Sequence, residues 1–134
     1  VFHKPISYFF FDLKSQGLSN LKNIKGPVVF IANHVSYLDQ PAIMYSLPRN
    51  LRYKIATATR EEFFFSEEGT SLFNKILFPY AMVAFNAFLL PQKSGFRKSL
   101  TFMGKLIDSN ISILVFPEGS RTKDGKLQDF MSGL

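Results

Sequence analysis

The chain contains no cysteine and no tryptophan among its 134 residues. Without cysteine, the protein has no disulfide framework, no thiolate metal site and no cysteine nucleophile. It also lacks an apolar run of the length that crosses a bilayer, which is about 20 residues. The uncharged stretch 76–90 has only 15 residues and is interrupted by Pro79 and Asn86, so it indicates buried core or an element lying on a membrane surface.

The composition indicates one basic, apolar domain. Hydrophobic residues make up 46% of the chain, which is enough to build a core, and 16 residues are phenylalanine. The net charge of +6 favours anionic partners, namely nucleic acid, anionic lipid or small phosphorylated substrates, and does not choose among them. Because the sequence starts at Val1 rather than at a methionine and stops at Leu134, we expect residues 1–134 to form a single domain that is truncated at both ends, with its C-terminal part missing.

Short apolar segments alternate with longer segments of helical periodicity. The apolar, β-branched patterns predict strands at 28–32, 53–59, 85–90 and 111–116. The periodicity and the proline positions predict helices from Asp39 to just before Pro48, at 71–84 and at 96–108, the last with Leu100, Met103, Leu106 and Ile107 on one face. This alternation is typical of an α/β fold in which a mostly parallel central sheet is covered by helices.

A polar turn carrying a histidine and an aspartate follows the first predicted strand. His34 and Asp39 are five positions apart, too far to be neighbours in an extended strand. A turn after Ala32, with Asp39 at the start of the helix, would bring the carboxylate back to the imidazole, and such a pair can act as a general base. The alternative is an ordinary histidine at a strand end and an aspartate that caps the helix.

A second polar cluster, Phe116-Pro117-Glu118-Gly119-Ser120-Arg121, follows the last predicted strand. Gly119 permits close approach of a ligand to the backbone, and the guanidinium of Arg121 suits a phosphate. The alternative is a turn whose Glu118 and Arg121 form a surface ion pair of little energetic weight. Because reactive groups of parallel sheets gather beyond the carboxyl ends of the strands, we expect both clusters at that edge.

Together the two clusters resemble the glycerolipid acyltransferase family, whose enzymes acylate lysophosphatidic acid and related lysophospholipids. The family's Asn-His-x-x-x-x-Asp block stands here at 33–39, and its Phe-Pro-Glu-Gly-(Ser/Thr)-Arg block at 116–121. The resemblance extends from about Gly17 to the end of the chain. It departs from the family at Gln92, where the family usually has an arginine that contacts the acceptor's phosphate, and Lys93, Arg97 or Lys98 would then supply charge nearby.

The resemblance implies an acyltransferase that moves a fatty acyl group from acyl-CoA or acyl-ACP to the hydroxyl of a lysophospholipid such as 1-acylglycerol-3-phosphate. His34 would be the general base and Asp39 its partner, while Glu118, Gly119, Ser120 and Arg121 would bind the acceptor. Lys93 and Arg97 are possible phosphate contacts. No metal and no cofactor beyond the acyl donor are expected.

Three alternatives stay open from the sequence. Ser36 is a rival nucleophile for a two-step route. A degenerate, non-catalytic domain would bind anionic lipid without turnover, and the third alternative is an active enzyme whose acceptor has no phosphate. Most phenylalanines lie in apolar runs rather than between basic residues, so nucleic acid is not expected as a partner. The expected location is the cytoplasmic face of a membrane, in association with the membrane surface.

Overall fold

The computed structural model is a four-stranded sheet in which every neighbouring pair of strands is parallel. The strands are β1 (Val29–Ile31), β2 (Ile55–Arg60), β3 (Ala87–Leu90) and β4 (Ser112–Val115), and their order across the sheet is β1-β4-β2-β3. The α/β fold with a parallel sheet is therefore confirmed. The residues that the structure describes are 13–36, 38–60, 76, 79–80, 82–90 and 96–131.

The last strand, β4, lies inside the sheet between the first two. Val29 is opposite Ile113 and Ile31 is opposite Val115, while on the other side Ile55 pairs with Ser112. All four residues of β4 are buried, as expected for a central parallel strand that is covered on both faces.

Helices pack on both faces of the sheet. A 3-10 helix spans Leu18–Leu21, and the α-helices are α1 (Asp39–Ser46), α2 (Arg49–Arg52) and α3 (Phe96–Asp108). Alternate residues of β4 point to opposite faces, so Leu114 packs with residues of α1 and the 3-10 helix, whereas Ile113 and Val115 pack with residues of α3. The two core clusters are therefore separated by the sheet.

The helix predicted at 96–108 has the expected bounds, and its residues Met103, Leu106 and Ile107 pack on the core. Leu100, which was predicted on the same face, is 44% exposed. The described residues of the helix predicted at 71–84, namely 76, 79–80 and 82–84, are helical, and the others lie outside the described part of the chain.

The prediction of a buried first strand is only partly confirmed. β1 forms where expected, and its Phe30 packs on the core. Val29 and Ile31 point the other way, and they are 51% and 65% exposed. β1 is at the edge of the described sheet, and α3, the helix on the face of Val29 and Ile31, lies mainly over β3 and β4. None of the helices formed by the described residues is long and apolar enough to cross a membrane.

Candidate active site

The two polar clusters meet at one edge of the sheet because β1 and β4 are neighbours. Their pairing continues one residue past β1, since the backbone N–H of Ala32 donates to the carbonyl of Val115 at 3.2 Å. His34 follows this point on one strand, and Glu118 follows it on the other. His34 and Glu118, which are 84 positions apart in sequence, therefore meet at the carboxyl ends of two adjacent strands.

The carboxylate of Asp39 closes the turn that carries His34. Its Oδ2 accepts three hydrogen bonds, from Nδ1 of His34 at 3.0 Å, from the N–H of Val35 at 2.6 Å and from the N–H of Ser36 at 2.7 Å. The prediction that Asp39 caps the following helix is wrong. Asp39 is the first residue of α1, and the N-cap is Leu38, whose side chain forms no capping hydrogen bond.

The environment of Asp39 favours its charged form. Burial acts to raise the pKa of the carboxyl, but the hydrogen bonds from Ser36, Val35 and the His34 ring together outweigh burial and hold the pKa below its ordinary value. A negative charge therefore lies against Nδ1 of the imidazole. With Nδ1 bound to this carboxylate, Nε2 is the ring nitrogen left for exchanging a proton with a substrate.

Contacts on several sides hold His34. Its ring lies against the ring of Phe116, with 4.4 Å between centroids and an angle of 31° between the planes. Its backbone N–H donates to Oε1 of Glu118 at 2.9 Å, and its carbonyl accepts the N–H of Thr122 at 2.9 Å. The side chain remains 22% exposed, so the imidazole is fixed in place and still reachable from outside.

The side chain of Glu118 is buried inside the protein. The residue is only 5% exposed, and both carboxylate oxygens accept backbone hydrogen bonds, Oε1 from His34 and Oε2 from Gln128 at 3.0 Å. The sequence had suggested that this carboxylate meets the acceptor or forms a surface ion pair. Burial excludes the surface ion pair as the environment of Glu118.

The next three residues form the outer part of the loop. Gly119 has φ of 67°, a left-handed conformation that glycine adopts without the steric cost of a side chain, and its N–H donates to the carbonyl of Phe116 at 3.0 Å. Ser120 is exposed, and its hydroxyl donates to Oε1 of Gln128 at 3.3 Å. Arg121 is also an exposed residue of this loop.

Of the two expected phosphate contacts, the structure describes only Arg97. Lys93, like Gln92, lies outside the described residues. Arg97 is exposed in the first turn of α3, the helix that follows β3, and β2 separates β3 from β4. Within the described ranges, no group of three or more histidine, aspartate or glutamate side chains converges in a way that could hold a metal ion.

Sequence reasoning missed the residues that support the histidine. The sequence places Phe116 at the start of the second polar cluster but gives its ring no role, and it gives Thr122 no role. The signal for the ring contact was present, since Phe116 ends an apolar strand that runs parallel to the strand before His34. The contribution of Thr122 comes from its backbone N–H, which no side-chain pattern reveals.

Comparison with known proteins gives a family and two relatives. Residues 12–134 match the family model described as Acyltransferase. A chloroplastic 1-acyl-sn-glycerol-3-phosphate acyltransferase of Arabidopsis thaliana is 28% identical over 130 residues, which cover 94% of this chain and 32% of the relative. A second enzyme of that name, from Brassica napus, is 31% identical over 94% of this chain and 33% of its own length. The chain thus spans about a third of the length of these curated relatives. No solved structure matches it.

Proposed function

The chain belongs to the acyltransferase family, and we propose that it transfers a fatty acyl group from acyl-CoA or acyl-ACP to the hydroxyl of a lysophospholipid such as 1-acylglycerol-3-phosphate. The two relatives support this acceptor, because their names give 1-acyl-sn-glycerol-3-phosphate as the molecule that they acylate. The observation that carries the proposal is the 3.0 Å hydrogen bond between His34 and Asp39, formed beside the loop that follows β4.

In the proposed mechanism, His34 is the general base. Nε2 takes the proton of the acceptor hydroxyl as its oxygen attacks the carbonyl carbon of the thioester, and the charge of Asp39 stabilises the imidazolium that forms. The tetrahedral intermediate then collapses, the carbon–sulfur bond breaks, and the proton on His34 passes to the sulfur of the leaving thiol. A base of this kind contributes on the order of 100- to 10,000-fold to the rate.

The acceptor would lie against Gly119, Ser120 and Arg121. The backbone of Gly119 carries no side chain to block the approach of a ligand. Arg121 is exposed in this loop, and a guanidinium has a planar pair of donors that matches two phosphate oxygens. Lys93 and Arg97 stay predictions as further contacts to the phosphate.

We also propose that the domain works at a membrane surface, where its acceptor is found. Four large apolar side chains near the site support this, because they are exposed on the turn after β1 and on the loop after β4: Val35, Leu38, Leu127 and Phe130. The net charge of +6 would add attraction to anionic lipid. The cytoplasmic face stays a prediction, since the two relatives are chloroplastic by name.

Thiol release by the full-length protein tests the proposed function. Acyl-CoA or acyl-ACP is supplied with lysophosphatidic acid, with lysophosphatidylethanolamine or with monoacylglycerol, and free thiol is followed with time. We expect lysophosphatidic acid to give the fastest release and His34→Ala to abolish it. His3→Ala is the matched control, because the sequence has only 2 histidines. Release that survives His34→Ala unchanged would contradict the proposed base, and lipid binding without release would indicate a non-catalytic domain.

A further inference from the structure

Glu118 is a buried acidic residue whose two oxygens are both engaged by the protein itself. One oxygen binds the backbone of the turn after β1, at His34, and the other binds the far part of its own loop, at Gln128. Only 5% of the residue is exposed. Burying a carboxylate costs free energy unless hydrogen bonds compensate for the lost water, and these two bonds provide that compensation.

The loop 117–131 is folded around this carboxylate. Besides the bond from Gln128 to Glu118, the N–H of Met131 donates to the carbonyl of Pro117 at 2.9 Å, which closes the loop near its ends. The same loop reaches His34 twice, since Thr122 donates to the carbonyl of His34 and Glu118 accepts from its N–H. The backbone of His34 is therefore held on both of its polar groups by one loop.

Residues of both clusters hold the imidazole of His34 in place. Asp39 sets the direction of the ring through Nδ1, and Phe116 packs against its face. Neither contact fixes the backbone position from which the side chain of His34 extends. The bonds to Glu118 and Thr122 do so, because they hold the peptide groups on either side of the residue.

We propose that Glu118 is a positioning residue, which holds the general base His34 in place and joins it to the loop segment at Gln128, rather than a ligand of the acceptor. This rests on the proposed function, because placing His34 matters for turnover only where His34 takes the proton. Contacts to the acceptor are then left to Gly119, Ser120 and Arg121. A positioning role affects the chemical step, whereas an acceptor ligand affects acceptor binding.

Steady-state kinetics of full-length Glu118→Gln separate the two roles. Glutamine keeps one acceptor oxygen and replaces the other with an amide NH2, so one of the two backbone N–H groups loses its partner. We expect kcat to fall about 10- to 100-fold with the KM for lysophosphatidic acid near that of wild type, because a small displacement of a catalytic group costs up to about 100-fold. Asp129→Asn, an exposed acid in the same loop, is the control. A raised acceptor KM with unchanged kcat would overturn the proposal.

Hydrogen exchange provides a test that does not depend on activity, and its first part uses only the wild-type protein. The amide hydrogens of His34 and Gln128 should exchange more slowly than in an unfolded peptide of the same sequence, since a buried carboxylate holds both. In Glu118→Gln, one of the two should lose protection while the sheet amide of Ile113 keeps it. Exchange of both amides at the peptide rate in wild type would overturn the proposal.

The two sets of measurements separate failure of this inference from failure of the proposed function. If His34→Ala abolishes thiol release and Glu118→Gln leaves kcat unchanged, His34 is the base and Glu118 does not position it. If His34→Ala leaves thiol release unchanged, the proposed function fails, and the positioning role for catalysis fails with it. A loss of kcat in Glu118→Gln whose extent matches only the loss of folded protein, measured by circular dichroism, would also overturn the positioning role.

Discussion

Replacing Asp39 by asparagine tests the pair on which the proposed chemistry depends. The side chain keeps its size and retains one oxygen that can take the place of Oδ2. That oxygen can still accept the bonds from Val35, Ser36 and the ring of His34. What disappears is the negative charge next to Nδ1, and with it the stabilisation of the imidazolium that forms during the reaction.

The expected losses follow from the three bonds to Oδ2. A hydrogen bond to a charged group contributes about 1.5–3 kcal/mol and a neutral one about 0.5–1.5 kcal/mol, so each bond weakens by about 1 kcal/mol. The three share one oxygen on a side chain that is 23% exposed, so we expect a total loss of about 2 kcal/mol in the free energy of unfolding. The free energy of unfolding of natural domains is about 5–15 kcal/mol, so the variant should remain folded. The rate should fall far more, by about 100- to 10,000-fold, the range for a general base.

The assay compares kcat and stability in the same full-length preparations. Thiol release from acyl-CoA with lysophosphatidic acid gives kcat, and urea unfolding gives the free energy. Asp124→Asn is the matched control, because Asp124 also accepts turn hydrogen bonds, from Thr122 and from the N–H of Lys126, and it contacts no imidazole. Its kcat should stay close to that of wild type. A folded Asp39→Asn protein with wild-type kcat would refute the His34–Asp39 reasoning.

Three further outcomes are expected. Ser36→Ala should keep its turnover, because the Ser36 hydroxyl accepts the N–H of Leu38 within the turn; a loss of kcat as large as that of His34→Ala would instead favour a serine nucleophile. Gly119→Ala should lower the free energy of unfolding by about 1–2 kcal/mol, the cost of a left-handed conformation with a side chain, and an unchanged urea midpoint would contradict this. The folded pKa of Asp39 lies below its ordinary value of 3.8, so its contribution to stability is present above pH 3.8 and is lost as the pH falls through the folded pKa. The stability difference between wild type and Asp39→Asn should therefore shrink on acidification in urea-unfolding measurements, and a difference that grows would contradict the sign.

The strand segments and the local turn could be predicted from the sequence because both depend on near neighbours. Apolar runs marked the four strands, and the spacing of His34 and Asp39 allowed a turn that pairs them. The expected helix cap failed for a local reason. The carboxylate of Asp39 turns back to the N–H groups of Val35 and Ser36 in the same turn, and Asp39 is already the first residue of α1 rather than its N-cap.

Strand order and burial could not be read from the sequence because they depend on distant segments. Nothing near β1 indicates that its neighbour is β4, or that β1 lies at the edge of the described sheet with Val29 and Ile31 exposed. For the same reason, the sequence does not indicate that Glu118 is buried. Its partners, His34 and Gln128, are 84 and 10 positions away.

The place of β4 between β1 and β2 has a consequence for how the protein is synthesised. In the described sheet, β1 has β4 as its neighbour, and the ribosome reaches β4 about 80 residues later. At about 5–20 residues per second, the nascent first strand waits on the order of 4 to 16 s for its partner. The turn with His34 and Asp39 can close early, because its contacts are local. The hydrogen bonds that join the backbone of His34 to Glu118 and Thr122 can form only after those later residues are synthesised. During that interval the unpaired edge of β1 is open to wrong pairing with other chains, which makes it a site where a chaperone would be of use.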